Sequence, residues 1–135
     1  MIMELDRNDY WTIASDSENK MVAIVWTEKT AKMTDGDFKT ALELLARYAE
    51  ERSDPVIMVD VRKFRHAMSP DLGVWRENEI VPRYNAAGIA RFAYVIGPDF
   101  PAPPNKEPSK MAEGENFLTG FFDREEDAKV WLSER

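Results

Sequence analysis

Four consecutive apolar residues at 56–59, VIMV, end on Asp60 and follow the helix-stopping run Ser53, Asp54, Pro55. An unbroken apolar run this short suits a strand in the middle of a sheet with both faces covered. A strand on a one-sided sheet would alternate polar and apolar residues instead. This segment therefore constrains the rest of the chain to supply neighbouring strands and covering helices.

The flanking sequence supplies both. Residues 10–15 (YWTIAS) and 21–26 (MVAIVW) read as strands, and the polar DSENK between them reads as a hairpin loop that pairs them antiparallel. Thr34 precedes Asp35 and Asp37, a helix-start pattern. Phe38, Ala41, Leu42, Leu45, Tyr48 and Ala49 then recur at the spacing of an amphipathic helix, with Glu43, Arg47, Glu50 and Glu51 on its wet side.

After Asp60 comes a basic turn, VRKFRHAM, and a second helix start at Ser69, Pro70 and Asp71. Ser69 is placed to cap the free N–H groups, Pro70 suits the first helical position, and Asp71 favours the dipole. This helix runs through Leu72, Val74, Trp75, Ile80 and Val81. Pro82 must kink or divide it, and Gly88 closes it.

Residues 91–96 (RFAYVI) form another strand. A Pro-rich stretch at 97–115 follows, with five prolines between Pro98 and Pro108, and reads as one extended loop rather than a linker to a second domain. Residues 116–122 (NFLTGFF) read as a last short strand. Asp123 then caps a final helix bearing Ala128, Trp131 and Leu132 on one face.

The order β-β-α-β-α-β-β-α predicts a single α/β domain over residues 1–135. Its sheet is mixed, of about five strands, with parallel central strands and helices packed on it. A chain of 135 residues fits one core.

Composition narrows the function classes. There are 25 acidic and 18 basic residues, net charge −7, so broad nucleic-acid binding is disfavoured. The charge is uneven: residues 1–54 sum to −5, residues 55–97 to +2 and residues 98–135 to −4. Only the third holding the basic turn is positive. The absence of cysteine removes disulfides, thiolate metal sites and a cysteine nucleophile. MIMELDRNDYW has no basic or apolar leader region, and no apolar run approaches the ~20 residues of a membrane span. The expectation is a cytoplasmic protein.

With the early hairpin ending on Trp26, the VDVR that closes the central strand and the ending FFDREEDAKVWL at 121–132, the chain resembles the SpoIIAA-like family of small bacterial STAS/SEC14-like domains. The resemblance implies a STAS-like fold and a regulatory or binding role. Anti-sigma-factor antagonists of that superfamily carry a phosphorylatable serine directly after the central strand. Here no serine directly follows Asp60, and Ser69 comes nine residues later.

In α/β folds ligands bind outside the carboxyl ends of the strands, so Asp60, Arg62, Lys63, Arg65 and His66 are expected at the working edge beside the helix start at Ser69. Guanidinium, ammonium and backbone N–H groups there suit an anion. The competing account is a set of solvated loop charges, with Asp60 tied to the loop backbone or to Arg62. Trp75 is expected beside the Pro-rich loop, where Phe100 and Met111 would fold over it and form a partly apolar pocket.

His66 and Ser69, with Asp60 or Asp71, are the right residue types for a base, nucleophile and orienting acid. No G-x-S-x-G turn presents the serine, and its capping role accounts for it. Asp71, Glu77 and Glu79 do not share one helical face and so make a poor cation site. No glycine-rich nucleotide motif is present. Neither a metal, a cofactor nor a catalytic residue is therefore assigned.

The expected function is that of a non-enzymatic binding or regulatory module. It takes a protein partner or a small anionic or amphipathic ligand on Asp60, Arg62, Arg65, His66, Ser69 and Trp75. The alternatives are a small hydrolase or transferase working from His66 and Ser69, and a homodimeric subunit with Trp11 and Trp26 in its interface.

Overall fold

The computed structural model describes residues 1–52 and 54–134; Ser53, part of the expected helix stop, and Arg135 lie outside the described residues. Six strands form one mixed sheet: β1 (Ile2–Arg7), β2 (Trp11–Asp16), β3 (Met21–Trp26), β4 (Val56–Asp60), β5 (Arg91–Val95) and β6 (Leu118–Phe122). They lie in sequence order across the sheet. The pairs β1·β2 and β2·β3 are antiparallel, and β3·β4, β4·β5 and β5·β6 are parallel.

The sequence reading has one strand too few. β1 escapes it because this is an open edge: Ile2 and Met3 are exposed and only Leu5 packs on the core. A strand with neither face buried carries little periodicity. It is held by its pairing to β2, which a register shift interrupts at Glu4/Asp6, and by a bond from the Trp11 indole N–H to Asp6 Oδ2 at 2.8 Å.

Helix α1 (Asp35–Arg52) links β3 to β4. Thr34 and Asp37 cap it reciprocally: Thr34 Oγ1 accepts from the Asp37 N–H at 3.1 Å and Asp37 Oδ2 from the Thr34 N–H at 3.0 Å. Its buried stripe, Phe38, Ala41, Leu42, Leu45, Ala46 and Ala49, covers one face of the sheet against Ile13, Val22, Ile24, Ile57 and Val59. Each large side chain there contributes roughly 1.5–3 kcal/mol by leaving water.

The connection from β4 to β5 is helical over 70–87 in three parts. These are α2 (Pro70–Trp75), a π turn (Arg76–Ile80) and α3 (Val81–Ala87). The expected break at Pro82 is absorbed one turn upstream. Pro82 has no N–H to give the carbonyl of Asn78, and the Val81 N–H reaches back five residues to the Arg76 carbonyl. Gly88, at φ 79°, closes the segment in the left-handed conformation that only glycine adopts without cost.

Helix α4 (Glu125–Ser133) covers the opposite face, with Ala128, Trp131 and Leu132 against Val56, Met58, Ala93, Val95 and Phe122. β4 is thus buried along its whole length, as the unbroken apolar run requires. Asp123 is not the cap of α4. That position is Arg124, and Asp123 instead pairs with Lys106 at 3.0 Å.

Trp11 and Trp26 are 3% and 2% exposed, packed edge to face beneath α1. Their burial inside one chain removes them from any dimer interface. Among the described residues no helix is long and apolar enough to cross a membrane.

Candidate functional site

The basic turn leaves β4 where the sheet's parallel strands end, and residues 97–101 leave β5 beside it. Between them, on the α1 face, lies a cavity of about 560 Å³. Its walls are mostly aromatic: Trp26, Phe38 and Phe64 on one side, Phe92, Tyr94, Phe100 and Phe121 on the other. Because the strands run in order with no reversal, no crevice arises from the topology itself. The two loops make the cavity.

The first aromatic set is continuous. Trp26 stacks on Phe38 at 5.8 Å, Phe64 meets both edge-on, and His66 stacks on Phe38 at 6.4 Å. The second set is continuous too: Phe92 to Tyr94 at 5.1 Å, Tyr94 to Phe121 at 5.2 Å with planes 9° apart, and Phe121 to Phe100 at 5.8 Å. Among the described residues no ring of one set packs against a ring of the other, so the cavity separates two preformed walls.

The ionisable side chains bordering the cavity include Arg62, Arg65, His66, Arg76 and Asp99. Arg62 is neutralised: its guanidinium bonds both oxygens of Asp60, at 2.6 Å from Nη2, and the Asp60 carboxylate also accepts the Arg62 backbone N–H at 3.0 Å. The Asp60 bond and the nearby charges of Asp60, Glu125 and Glu126 raise the Arg62 pKa against burial. Asp60, 5% exposed, is thereby a structural anchor of the turn, not a free carboxylate.

Arg65 is tied by its backbone N–H to Thr30 Oγ1 at 2.8 Å, while its guanidinium touches only the carbonyls of Phe64 and Arg62. No carboxylate pairs with it among the described residues. His66, with a side chain 10% exposed, bonds Asp35 Oδ1 at 2.8 Å through Nε2. That bond comes from the first turn of α1, so the base of the imagined dyad is engaged away from Ser69.

Ser69 occupies the N-cap position of α2, but its hydroxyl makes no capping bond, contrary to the sequence reading. Its carbonyl accepts the Leu72 N–H at 3.1 Å instead. With His66 on Asp35 and Ser69 outside the cavity lining, no nucleophile and base are assembled.

Trp75 also misses the cavity. It turns towards α1, where the Lys39 ammonium lies 5.5 Å from its ring. Met111 is exposed, and only residues 97–101 of the Pro-rich loop reach the cavity. Farther along, Asn105 bonds Phe121 through both backbone groups at 2.9 Å, covering the open edge of β6. Gly120 makes room for this strap and for the Phe122 ring, whose nearest carbon would lie 2.7 Å from an added Cβ.

The residue that matters beside Trp75 is the next one. Arg76 opens the π turn, borders the cavity and lies 5.5 Å from the Phe92 ring. Its acid is Glu115, at 3.6 Å, longer than a hydrogen bond; the two side chains are 21% and 14% exposed. Burial lowers the Arg76 pKa, but acidic groups around it, the Glu115 carboxylate among them, outweigh this and leave it raised.

Chemically the site offers an apolar, aromatic slot with cationic groups on its border. Among the described residues no three His, Cys, Asp or Glu side chains converge as a metal would require. Compared with known proteins, the chain matches no family model, no curated protein and no solved structure.

Proposed function

We propose that this chain is a non-catalytic binding module whose ligand is small, amphipathic and negatively charged, held at the carboxyl ends of β4, β5 and β6. The observation that carries the reading is the cavity of about 560 Å³ between two aromatic walls, within the range of pockets that bury a whole small molecule. The border charges support the sign: Arg65, with no carboxylate partner among the described residues, and Arg76, whose acid stands 3.6 Å away, both line the cavity, with Asp99 as the one lining carboxylate.

A SpoIIAA-like, cytoplasmic regulatory role is compatible with this reading. In that case occupancy of the cavity is the signal, and phosphorylation after β4 is not, since VRKFRHAM follows Asp60 without a serine. A protein partner recognising the same rim is the weaker account, because a slot recessed between two aromatic walls presents little surface to a flat interface.

The test is an amide-resolved NMR titration with the anionic fluorophore 1-anilinonaphthalene-8-sulfonate. The expected result is saturable shifts at Val61, Phe64, His66, Tyr94, Gly97 and Phe121, with β1 and α4 unmoved. Shifts absent at saturating probe, or centred away from these residues, would sink the proposal.

A further inference from the structure

Two observations at the cavity ask for more than a generic anion. The first is the shape of its walls. Tyr94 and Phe121 are stacked nearly parallel on one side and Trp26 and Phe38 on the other, each pair supported by further rings. Ring faces prefer offset or edge contact with other ring faces, so two separated aromatic walls favour a flat aromatic body over a flexible alkyl chain.

The second is Arg76. A guanidinium has five N–H donors in a planar fork. Among the described residues the Arg76 side chain has one polar partner, Glu115, in an ion pair at 3.6 Å, so most of its donors are uncommitted. At the border of the cavity these donors are open to solvent, and a carboxylate entering there can take two of them at once. Glu115 is held from another direction, its Oε1 accepting from Thr119 Oγ1 at 3.4 Å. The Asn85 amide also pins the backbone on either side of Glu115, at Gly114 and Asn116. Glu115 is therefore held from two other sides while it pairs with Arg76 at 3.6 Å.

We infer that the cavity selects a planar aromatic carboxylate, its ring between the two aromatic walls and its carboxylate on the Arg76 donors that Glu115 leaves open. This inference rests on the binding reading above and adds the ligand class and the selecting residue. Arg65, bordering the same cavity with no carboxylate partner, strengthens the attraction without fixing the geometry.

The experiment is isothermal titration of the full chain with 2-naphthoate, with its neutral isostere 2-naphthamide, and with decanoate, an aliphatic acid. Wild-type protein is expected to bind 2-naphthoate more tightly than either of the others. Arg76→Gln is expected to weaken 2-naphthoate about tenfold or more while changing 2-naphthamide by less than about twofold, the size of a charge-assisted hydrogen bond.

Glu115→Gln keeps the bond to Thr119 but removes the competing charge, and is expected to tighten 2-naphthoate about threefold or more. It gives an independent answer if Arg76→Gln fails to fold. Equal or tighter binding of 2-naphthamide or decanoate overturns the ligand class and leaves the cavity reading standing, as does indifference of 2-naphthoate to both substitutions. Binding of none of the three probes overturns both.

Discussion

Removing the hydroxyl of Tyr84 should stabilise this protein, an unusual sign for a change in a core. Tyr84 on α3 is fully buried, and its hydroxyl has no hydrogen-bond partner among the described residues. Its ring packs on Phe92 at 5.6 Å and Phe117 at 6.1 Å, contacts that phenylalanine retains. Burial pushes the phenol well above its usual pKa, opposed in part by the charge of Arg76, so the group stays neutral at any working pH. A buried hydroxyl without a partner costs about 1–3 kcal/mol, and deleting only its oxygen opens no cavity large enough to offset that.

Tyr84→Phe is therefore expected to gain about 1–3 kcal/mol. For a domain of this length that corresponds to roughly 3–5 °C in Tm per kcal/mol. Urea unfolding followed by circular dichroism measures it, with an unchanged m-value as the check that the unfolded state is not the cause. A loss of more than about 0.5 kcal/mol would show that the hydroxyl is satisfied, and the reasoning about this corner of the core would fail.

Other changes carry equally definite signs. Gly120→Ala drives a methyl against the Phe122 ring, itself packed on Trp131, and is expected to cost about 1–3 kcal/mol in the same assay, with release of the Asn105 strap seen as faster exchange of the Phe121 amide. Thr34→Ala removes one half of the cap of α1 and is expected to cost about 1 kcal/mol of unfolding free energy.

The pH dependence follows from Asp16 and Glu50. For Asp16, burial raises the pKa but bonds from Asn19 and Glu18 outweigh it; for Glu50, the bond from Arg83 lowers it. Both pKa values lie below those of the unfolded chain, so their stabilisation is fully present above the ordinary carboxylate range near ~4. It is lost as pH falls through the depressed folded values. Asp16→Asn should flatten the acid limb of a Tm-against-pH curve, and an unchanged limb would rule Asp16 out as a contributor.

Much of the architecture was legible because it follows from burial. The apolar run before Asp60 could only be a doubly covered strand, and the stripe from Phe38 to Ala49 could only be a helix lying on it. What escaped was whatever burial does not record. β1 lies at an open edge, and the cap of α2 is made by backbone geometry, not by the Ser69 hydroxyl.

The site was half legible for the same reason. Position after β4 brought Arg62, Arg65 and His66 to the cavity, but partner choice decided what each does. Asp60 went to Arg62, and His66 went to Asp35, thirty-one residues away in sequence. Arg76 had a readable signal that went unused. It stands four residues after Leu72 and four before Ile80, both buried, so it is a cation set in the middle of an apolar helical stripe. Such a residue must meet a partner inside, and Glu115 reaches it only through a fold of the Pro-rich loop that no local pattern announces.

The central claim is that a ligand sits between the two aromatic walls, and intermolecular nuclear Overhauser effects measure it directly. With 2-naphthoate at saturation, its ring protons should show effects to Phe38 or Phe64 on one wall and to Tyr94 or Phe121 on the other in the same complex. Effects to one wall alone, or to surface side chains outside the cavity, would contradict the account.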